Sequence, residues 1–319
     1  MRKTFLALTL LVASASALAQ PFPSHPVTIV VPFPPGGSSD VLARILQPKL
    51  AEIWQQPVII ENKPGASANI GAAFVARSAP DGYTMLLATP AFAVSAAVFK
   101  NLTYDARRDL APVAMLSVFP SVLVVHPSLP VKTPGDLVQY AKAHPGKLNF
   151  ASAGATSAIR FAFEHLMQIT GFKAVHIAYK GSAPSTQAML SGEAHTMMMT
   201  LVDALPHIKS GKLRAIAATT IDRIPELPGL PTLAETVAPG FDYIIWHGFY
   251  VPAGTPKALI AKLNRDVNTV LGQRDVNEHL TAIGMDVRAG TPEDLDKLVR
   301  GEIEKWTEVG RIAHIEVGG

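Results

Sequence analysis

Residues 27–46 read VTIVVPFPPGGSSDVLARIL: an apolar run, then two prolines, two glycines and two serines, then apolar residues at helical spacing. Val27 to Phe33 predicts a strand and Ser39 to Ile53 a helix, so this stretch opens a strand-to-helix unit. Gly36 and Gly37 permit backbone conformations closed to other residues and remove side chains that would block a ligand. Ser38 or Ser39 stands where it could cap the helix, whose free N–H groups and partial positive charge suit a carboxylate or phosphate. Asp40, in the first turn, complements the same dipole and discourages a highly charged anion. A diglycine turn of this kind also occurs as a plain connection.

A second turn repeats the pattern. In LNFASAGATSAIRFAFEHLMQITG (148–171), a strand ending near Ser152 passes through Ala153, Gly154, Ala155 and Thr156 into a helix with Ser157 as N-cap and Gly171 as its C-terminal stop. Both loops are small and rich in hydroxyls. In doubly wound sheets ligands sit outside the carboxyl ends of strands, so two such loops, far apart in sequence, suggest one in each of two domains, facing across a cleft. Arg160 falls at the third helical position, where a cation opposes the dipole. Either a ligand anion offsets it, or it forms an i,i+4 ion pair with Glu164.

Around these turns, short apolar runs alternate with helical patterns. Strand-like runs occupy 27–33, 57–62, 84–89, 121–126, 148–152, 174–179, 194–200, 213–219 and 244–252; helical patterns occupy 39–53, 69–79, 134–144, 158–170, 182–190 and 256–271. The alternation predicts an α/β architecture with largely parallel sheets and helices on both faces. RDVNEHLTAIGMD (274–286) and TPEDLDKLVRGEIEKWTEVG (291–310) read as polar amphipathic helices, the second started by Thr291 and Pro292, expected to wrap the outside of one domain. Pro48 lies inside the first helical pattern and should kink or divide it.

The chain has 319 residues, 48% hydrophobic and 17% charged, enough for about two domains with a core in each. Its first twenty residues carry a basic start at Arg2 and Lys3, an apolar core from Phe5 to Val12, and a small-residue cleavage signature at Ala17 to Ala19. They read as a secretory signal peptide cut near Ala19 rather than as an uncleaved anchor, and place the mature protein in the periplasm. Without Arg2 and Lys3 the 28 basic residues fall to 26 against 25 acidic, a formal charge of +1 with no basic stripe, which argues against nucleic acid. With no cysteine, disulfides, thiol catalysis and thiolate metal sites are excluded. There is no G-x-S-x-G, H-E-x-x-H, Walker or G-x-G-x-x-G motif, and the ten histidines are dispersed. His165, His176, His195 and His207 therefore read as structural, Met197 to Met199 as a buried strand, and no cofactor, metal site or catalytic residue is expected.

The mature chain resembles, almost end to end, the receptors of tripartite tricarboxylate transporters, the Bug or TctC-like family. The resemblance rests on VPFPPGGSSD (31–40), QPVIIENKPGASANIGAAFVARSAPDGYTMLLAT (56–89), NFASAGATS (149–157), HIAYKGSAP (176–184), LPHIKSGKLRAIAATT (205–220), LPGLPTLAE (227–235) and WHGFYVPAGTP (246–256), in that order. It implies a two-domain type II periplasmic binding protein of the Venus-flytrap kind, each domain a doubly wound, mostly parallel sheet flanked by helices. Carried onto this chain, the signal occupies 1–20, domain one 21–119 plus 246–319, and domain two 120–245. It further implies a monomer that grips a small carboxylate by domain closure and delivers it to a membrane permease. The matching ligand positions are Phe33, Pro34, Pro35, Gly36, Gly37, Ser38, Ser39, Thr89, Ser152, Ala153, Gly154, Ala155, Thr156 and Ser157, with Tyr179 and Lys180 in a shared motif. Arg160 stands where relatives commonly carry His, and Met199 where many carry an acid, which favours a dicarboxylate or aromatic carboxylate over an amino acid. A periplasmic ligand sensor and an exported α/β hydrolase are the alternatives; the hydrolase requires a nucleophile in contact with a base.

Overall fold

The computed structural model describes residues 22–315, so the signal sequence read at 1–20 lies outside the described residues. In chain order the elements are β1 (Val27–Val31), α1 (Ser38–Trp54), β2 (Val58–Asn62), a short 3-10 turn (Ala66–Ala68), α2 (Asn69–Ala76), β3 (Thr84–Ala88), α3 (Pro90–Val98) and β4 (Leu110–Val125). They continue with α4 (Pro134–Ala143), β5 (Asn149–Ser152), α5 (Ala158–Thr170), β6 (Val175–Ala178), α6 (Ser182–Ser191), β7 (Thr196–Thr200), α7 (Leu201–Lys209) and β8 (Arg214–Ala218). Last come α8 (Leu233–Thr236), β9 (Ile244–Pro252), α9 (Lys257–Leu271), α10 (Arg274–Ala282), β10 (Asp286–Val287) and α11 (Pro292–Ile312).

The strands pair in the order β2-β1-β3-β9-β4-β7-β5-β6, with β8 and β10 also on β4. Two groups meet on the sixteen-residue strand β4. Its first part, Leu110 to Pro120, pairs with β9, while Ser121 to Val125 pairs with β7 and Val122 to Val125 with β8. The outer strands are parallel, β2 and β3 on β1, β6 and β7 on β5. β4 and β9 bring only antiparallel pairs, so the expected largely parallel sheets become one mixed sheet. The run 121–126 foretold only the end of β4; Pro112 and Pro120 interrupt the apolar pattern of its first part without ending the strand.

Alternation within β1 shows how the core is divided. Val27, Ile29 and Val31 join Leu42, Leu46 and Leu50 of α1 and Leu263 and Val267 of α9 in one apolar cluster. Val30 faces the other way, into a second cluster with Val75, Leu86 and Phe92. Burial on both faces is why these strands read as unbroken apolar runs. Each fully buried leucine of α1 contributes roughly 1.5–3 kcal/mol. α1 runs unbroken through Pro48, against the expectation that the proline would divide it. Pro48 and Arg44, whose carbonyl loses its helical partner, are both exposed, so the proline is accommodated on the solvent side of the helix.

The last helix does not wrap one side of the molecule as expected. α11 packs on α3, β4 and α5, and so touches elements from both groups of strands. Trp306 is fully buried, 6.4 Å from Phe161 and 6.2 Å from Tyr243 between ring centroids, both edge-on. Gly248 of β9 admits this close approach, since a Cβ there would stand 2.7 Å from the Leu295 side chain. The stripe Leu295, Val299, Ile303, Trp306 and Val309 is buried, leaving the charged residues of α11 largely outward.

Candidate functional site: the loops at the strand ends

Because β1, β2 and β3 are parallel, the segments that follow them, 32–37, 63–68 and Thr89, emerge on one edge of the sheet. The segments after β5 and β6 emerge together in the same way, at 153–157 and 179–181. The two edges meet where Ser67 Oγ hydrogen-bonds Thr156 Oγ1. Ser67 sits in a turn whose three residues, Ala66, Ser67 and Ala68, all have positive φ (47°, 55° and 75°), a left-handed backbone that costs energy without glycine. Ser95 Oγ donates to the Ser67 carbonyl at 3.3 Å, and Gly71 lets α2 lie against Pro32, tying this turn to the first loop.

In the first loop, Pro34 to Ser38 are exposed and Phe33 is half-buried. The helix N-cap is Gly37, with no side-chain cap, rather than Ser38 or Ser39. Ser39 is buried, and its hydroxyl is engaged elsewhere, 3.0 Å from His247 Nε2. Asp40 does more than complement the dipole: its Oδ2 accepts the Gly36 N–H at 3.0 Å, its Oδ1 accepts from Asn62 at 3.0 Å, and Arg44 pairs with it at 2.9 Å. Arg44 above all holds the Asp40 carboxyl down at about 2. Asn62 also donates to the Phe33 carbonyl at 3.1 Å, so the loop is held from within. One loop amide, that of Gly36, is therefore already taken by the protein. Thr89 is buried and caps α3, accepting from the Ala91 N–H at 3.3 Å.

In the second loop, Ser157 is the N-cap of α5 and accepts from the Arg160 N–H, and Gly171 ends that helix in left-handed conformation. Ser152 is fully buried. Its hydroxyl donates to the Gly154 carbonyl at 2.8 Å, and its oxygen lies 2.7 Å from His176 Nε2 and 3.3 Å from the Gly154 N–H. The Gly154 carbonyl also accepts from the Ser157 hydroxyl at 2.9 Å, and the direction of the Ser152–His176 bond follows the histidine tautomer. Burial, with Arg160 nearby, pushes His176 down to about 4, so the ring is neutral near pH 7. The Ser152 hydroxyl is closed to solvent. Ala155 is exposed, Ala153 and Gly154 half-buried, and Thr156 buried against Ser67.

Arg160 spans the second loop. Its Nη1 donates to the Ala155 carbonyl at 2.7 Å, and its Nε lies 3.6 Å from Glu164. Burial raises the Glu164 carboxyl and Arg160 lowers it, burial prevailing. Of the two readings of Arg160, the i,i+4 ion pair is the one present in this structure. Tyr179 donates its backbone N–H to Ser152 and its hydroxyl to Glu193 at 2.9 Å, while Lys180 is exposed. Met199 is 1% exposed, opposite Val122 in the ladder, so its side chain belongs to the core and not to the loop surface.

Ser67, His176 and His247 carry much of this arrangement, and none had been singled out for the site. For Ser67 the available signal was position: KPGASANIG follows a strand just as PFPPGGSSD does. For His247 it was a lone histidine inside an apolar strand, WHGFYV. Among the described residues, no group of three or more metal-ligating side chains exists, and no helix is long and apolar enough to cross a membrane.

Residues 42–315 match the model of the tripartite tricarboxylate transporter family receptor. Protein BugT of Bordetella pertussis is 36% identical over 300 residues, covering 93% of this chain and 92% of its own. A Pseudomonas sp. (strain P51) protein of the tcbD-tcbE intergenic region is 34% identical, covering 97% and 93%. Among solved structures, an R. palustris protein with adipate has a TM-score of 0.84 at 34% identity, covering 92% of this chain and 99% of that one. MatC from Rhodopseudomonas palustris with bound malate has a TM-score of 0.81 at 34% identity, covering 90% and 99%. With a periplasmic-binding-protein fold and matches of this length, the chain belongs to the tripartite tricarboxylate transporter receptor family.

Proposed function

We propose that this protein is a periplasmic receptor that captures a small carboxylate, a dicarboxylate first of all, and delivers it to a tripartite tricarboxylate-type permease. The observation that carries the reading is the contact of Ser67, in the turn after β2, with Thr156 of the loop 152–157, which brings the strand-end edge that also presents loop 33–39 against the edge that follows β5. Neutral donors at helix starts suit a carboxylate that must be released again. The lobes are 21–119 plus 246–319 and 120–245; an open cleft binds the acid on one lobe, and contacts with the other favour closure. The ligand lies against Phe33 to Ser38, Ala153 to Thr156 and the Thr89 helix start. Ser39, Ser152, Ser157, Arg160 and Tyr179 hold those loops, and Met199 packs beneath them.

The binding proteins solved with adipate and with malate make those two acids the first probes. The purified exported chain, titrated calorimetrically with adipate, malate and an amino acid such as glutamate, should bind a dicarboxylate and ignore the amino acid. Binding of glutamate alone would overturn the ligand class. Recovery of the acid unchanged, and loss of its uptake in a strain lacking the gene, complete the test of a transport receptor against a hydrolase or sensor.

A further inference from the structure

The first loop is joined to the crossing strands by one buried histidine. His247 lies in β9 and is fully enclosed, and its ring stands 5.3 Å from that of Phe119. Nε2 is 3.0 Å from Ser39 Oγ, and Nδ1 is 3.1 Å from Ser117 Oγ. Burial drives the imidazole down to about 3, so it is neutral and presents one donor and one acceptor. Each nitrogen therefore has a defined serine partner, whichever tautomer is present.

The three residues belong to three elements. Ser39 is the second residue of α1, directly after the exposed Pro34–Ser38 segment. Ser117 lies in β4 opposite His247, and β10 covers its other side through Val287. Beside Ser117 the β4–β9 register shifts, between Met115 and Ser117, and three residues later β4 leaves β9 for its pairing with β7 and β8. A bulge is where a strand bends and twists most readily. An imidazole spans the gap between helix start and strand, which a single hydroxyl does not.

We infer that His247 is a positioning residue that links the first loop to the bulged crossing strands, so that the loop's placement and the geometry of the lobe junction change together. The inference rests on the receptor reading, in which the Pro34–Ser38 loop seats the ligand. His247 never touches the ligand; it acts through Ser39.

The test compares the full exported chain with S39A, H247F, H247Q and the S39A/H247F double variant. Hydrogen exchange of peptides covering 33–42 and 113–121 is followed without ligand, and adipate and malate are titrated by calorimetry. Losing the link raises exchange in 33–42 about tenfold in S39A and in H247F, and in 113–121 only in H247F. H247Q, whose amide keeps one donor and one acceptor, restores most of the protection. Each single variant weakens the acids about tenfold, and the double variant weakens them no further. Unchanged exchange of 33–42 in S39A overturns the inference even if H247F does not fold, and additive losses in the double variant also overturn it. If neither acid binds the wild-type protein, it is the ligand reading that fails, while the exchange results still decide the link.

Discussion

Ser67 and Thr156, 89 residues apart, hydrogen-bond where the two strand groups present their carboxyl edges to each other. Each belongs to a loop held by its own side: Ser67 by Ser95, and the loop of Thr156 by Ser152 and Ser157 on Gly154. A bond between two independently held loops reports their separation.

Ser67→Ala and Thr156→Val should each weaken dicarboxylate binding about 2–10-fold, the worth of one net hydrogen bond of roughly 0.5–1.5 kcal/mol. The double variant should be no worse than the weaker single. Calorimetric affinities for adipate and malate through this double-mutant cycle check it; simple additivity would show that the two hydroxyls do not act as a pair.

Gly37→Leu should abolish binding while leaving the fold intact. A Cβ at Gly37 meets only the Pro34 carbonyl oxygen, at 4.0 Å, so the protein tolerates a side chain that the ligand would not. Thermal unfolding within a few degrees of wild type, with no binding heat, is the expected pair of results. Gly36 differs: its φ of +88° is a left-handed conformation, so Gly36→Ala should cost about 1 kcal/mol in stability as well.

Arg160→Ala should destabilise the protein by about 1–2 kcal/mol, because it strands the part-buried Glu164 and releases the Ala155 carbonyl. Adding Glu164→Gln should restore much of the loss. Since Arg160 is committed to these partners, its removal should weaken adipate and the monocarboxylate hexanoate equally. A loss confined to adipate would place the guanidinium on the ligand's second carboxylate.

Glu302 makes stability fall with rising pH. Its carboxyl is buried under Trp246, which donates to it at 2.8 Å, and burial pushes it from 4.5 up to about 7 despite Lys305 nearby; Asp242 pushes the same way. The folded state thus holds a proton that the unfolded state has released between these values. Its contribution to stability is fully present below about pH 4.5, declines toward pH 7 and is absent above it, while His176 and His247, held neutral by burial, act in the opposite sense as pH falls below the ordinary histidine range. The decline is on the order of 1–3 kcal/mol. Glu302→Gln, which can still accept from Trp246, should raise Tm at pH 8 and change it little at pH 4.5, as read by calorimetry across that range.

The sequence by itself determined the local architecture. Apolar runs bounded by Gly, Pro and Ser marked β1, β5 and the helices after them, and Ser157 and Gly171 cap α5 as their residue types require. These features depend on neighbours within a few positions, so spacing and residue type are enough. The order of motifs along the chain likewise identified the family, which the matches bear out. What tertiary structure decided involves partners far apart in the chain. Gly37 rather than a serine caps α1, and the hydroxyl of Ser39 inside that helix goes to His247, 208 positions beyond it. Arg160 faces Glu164 and Ala155, Met199 sits in the core, and α11 bridges two strand groups because Trp306 finds Phe161 and Tyr243. A buried hydroxyl or ring takes whatever partner the packed chain brings within reach, and no local pattern records that choice.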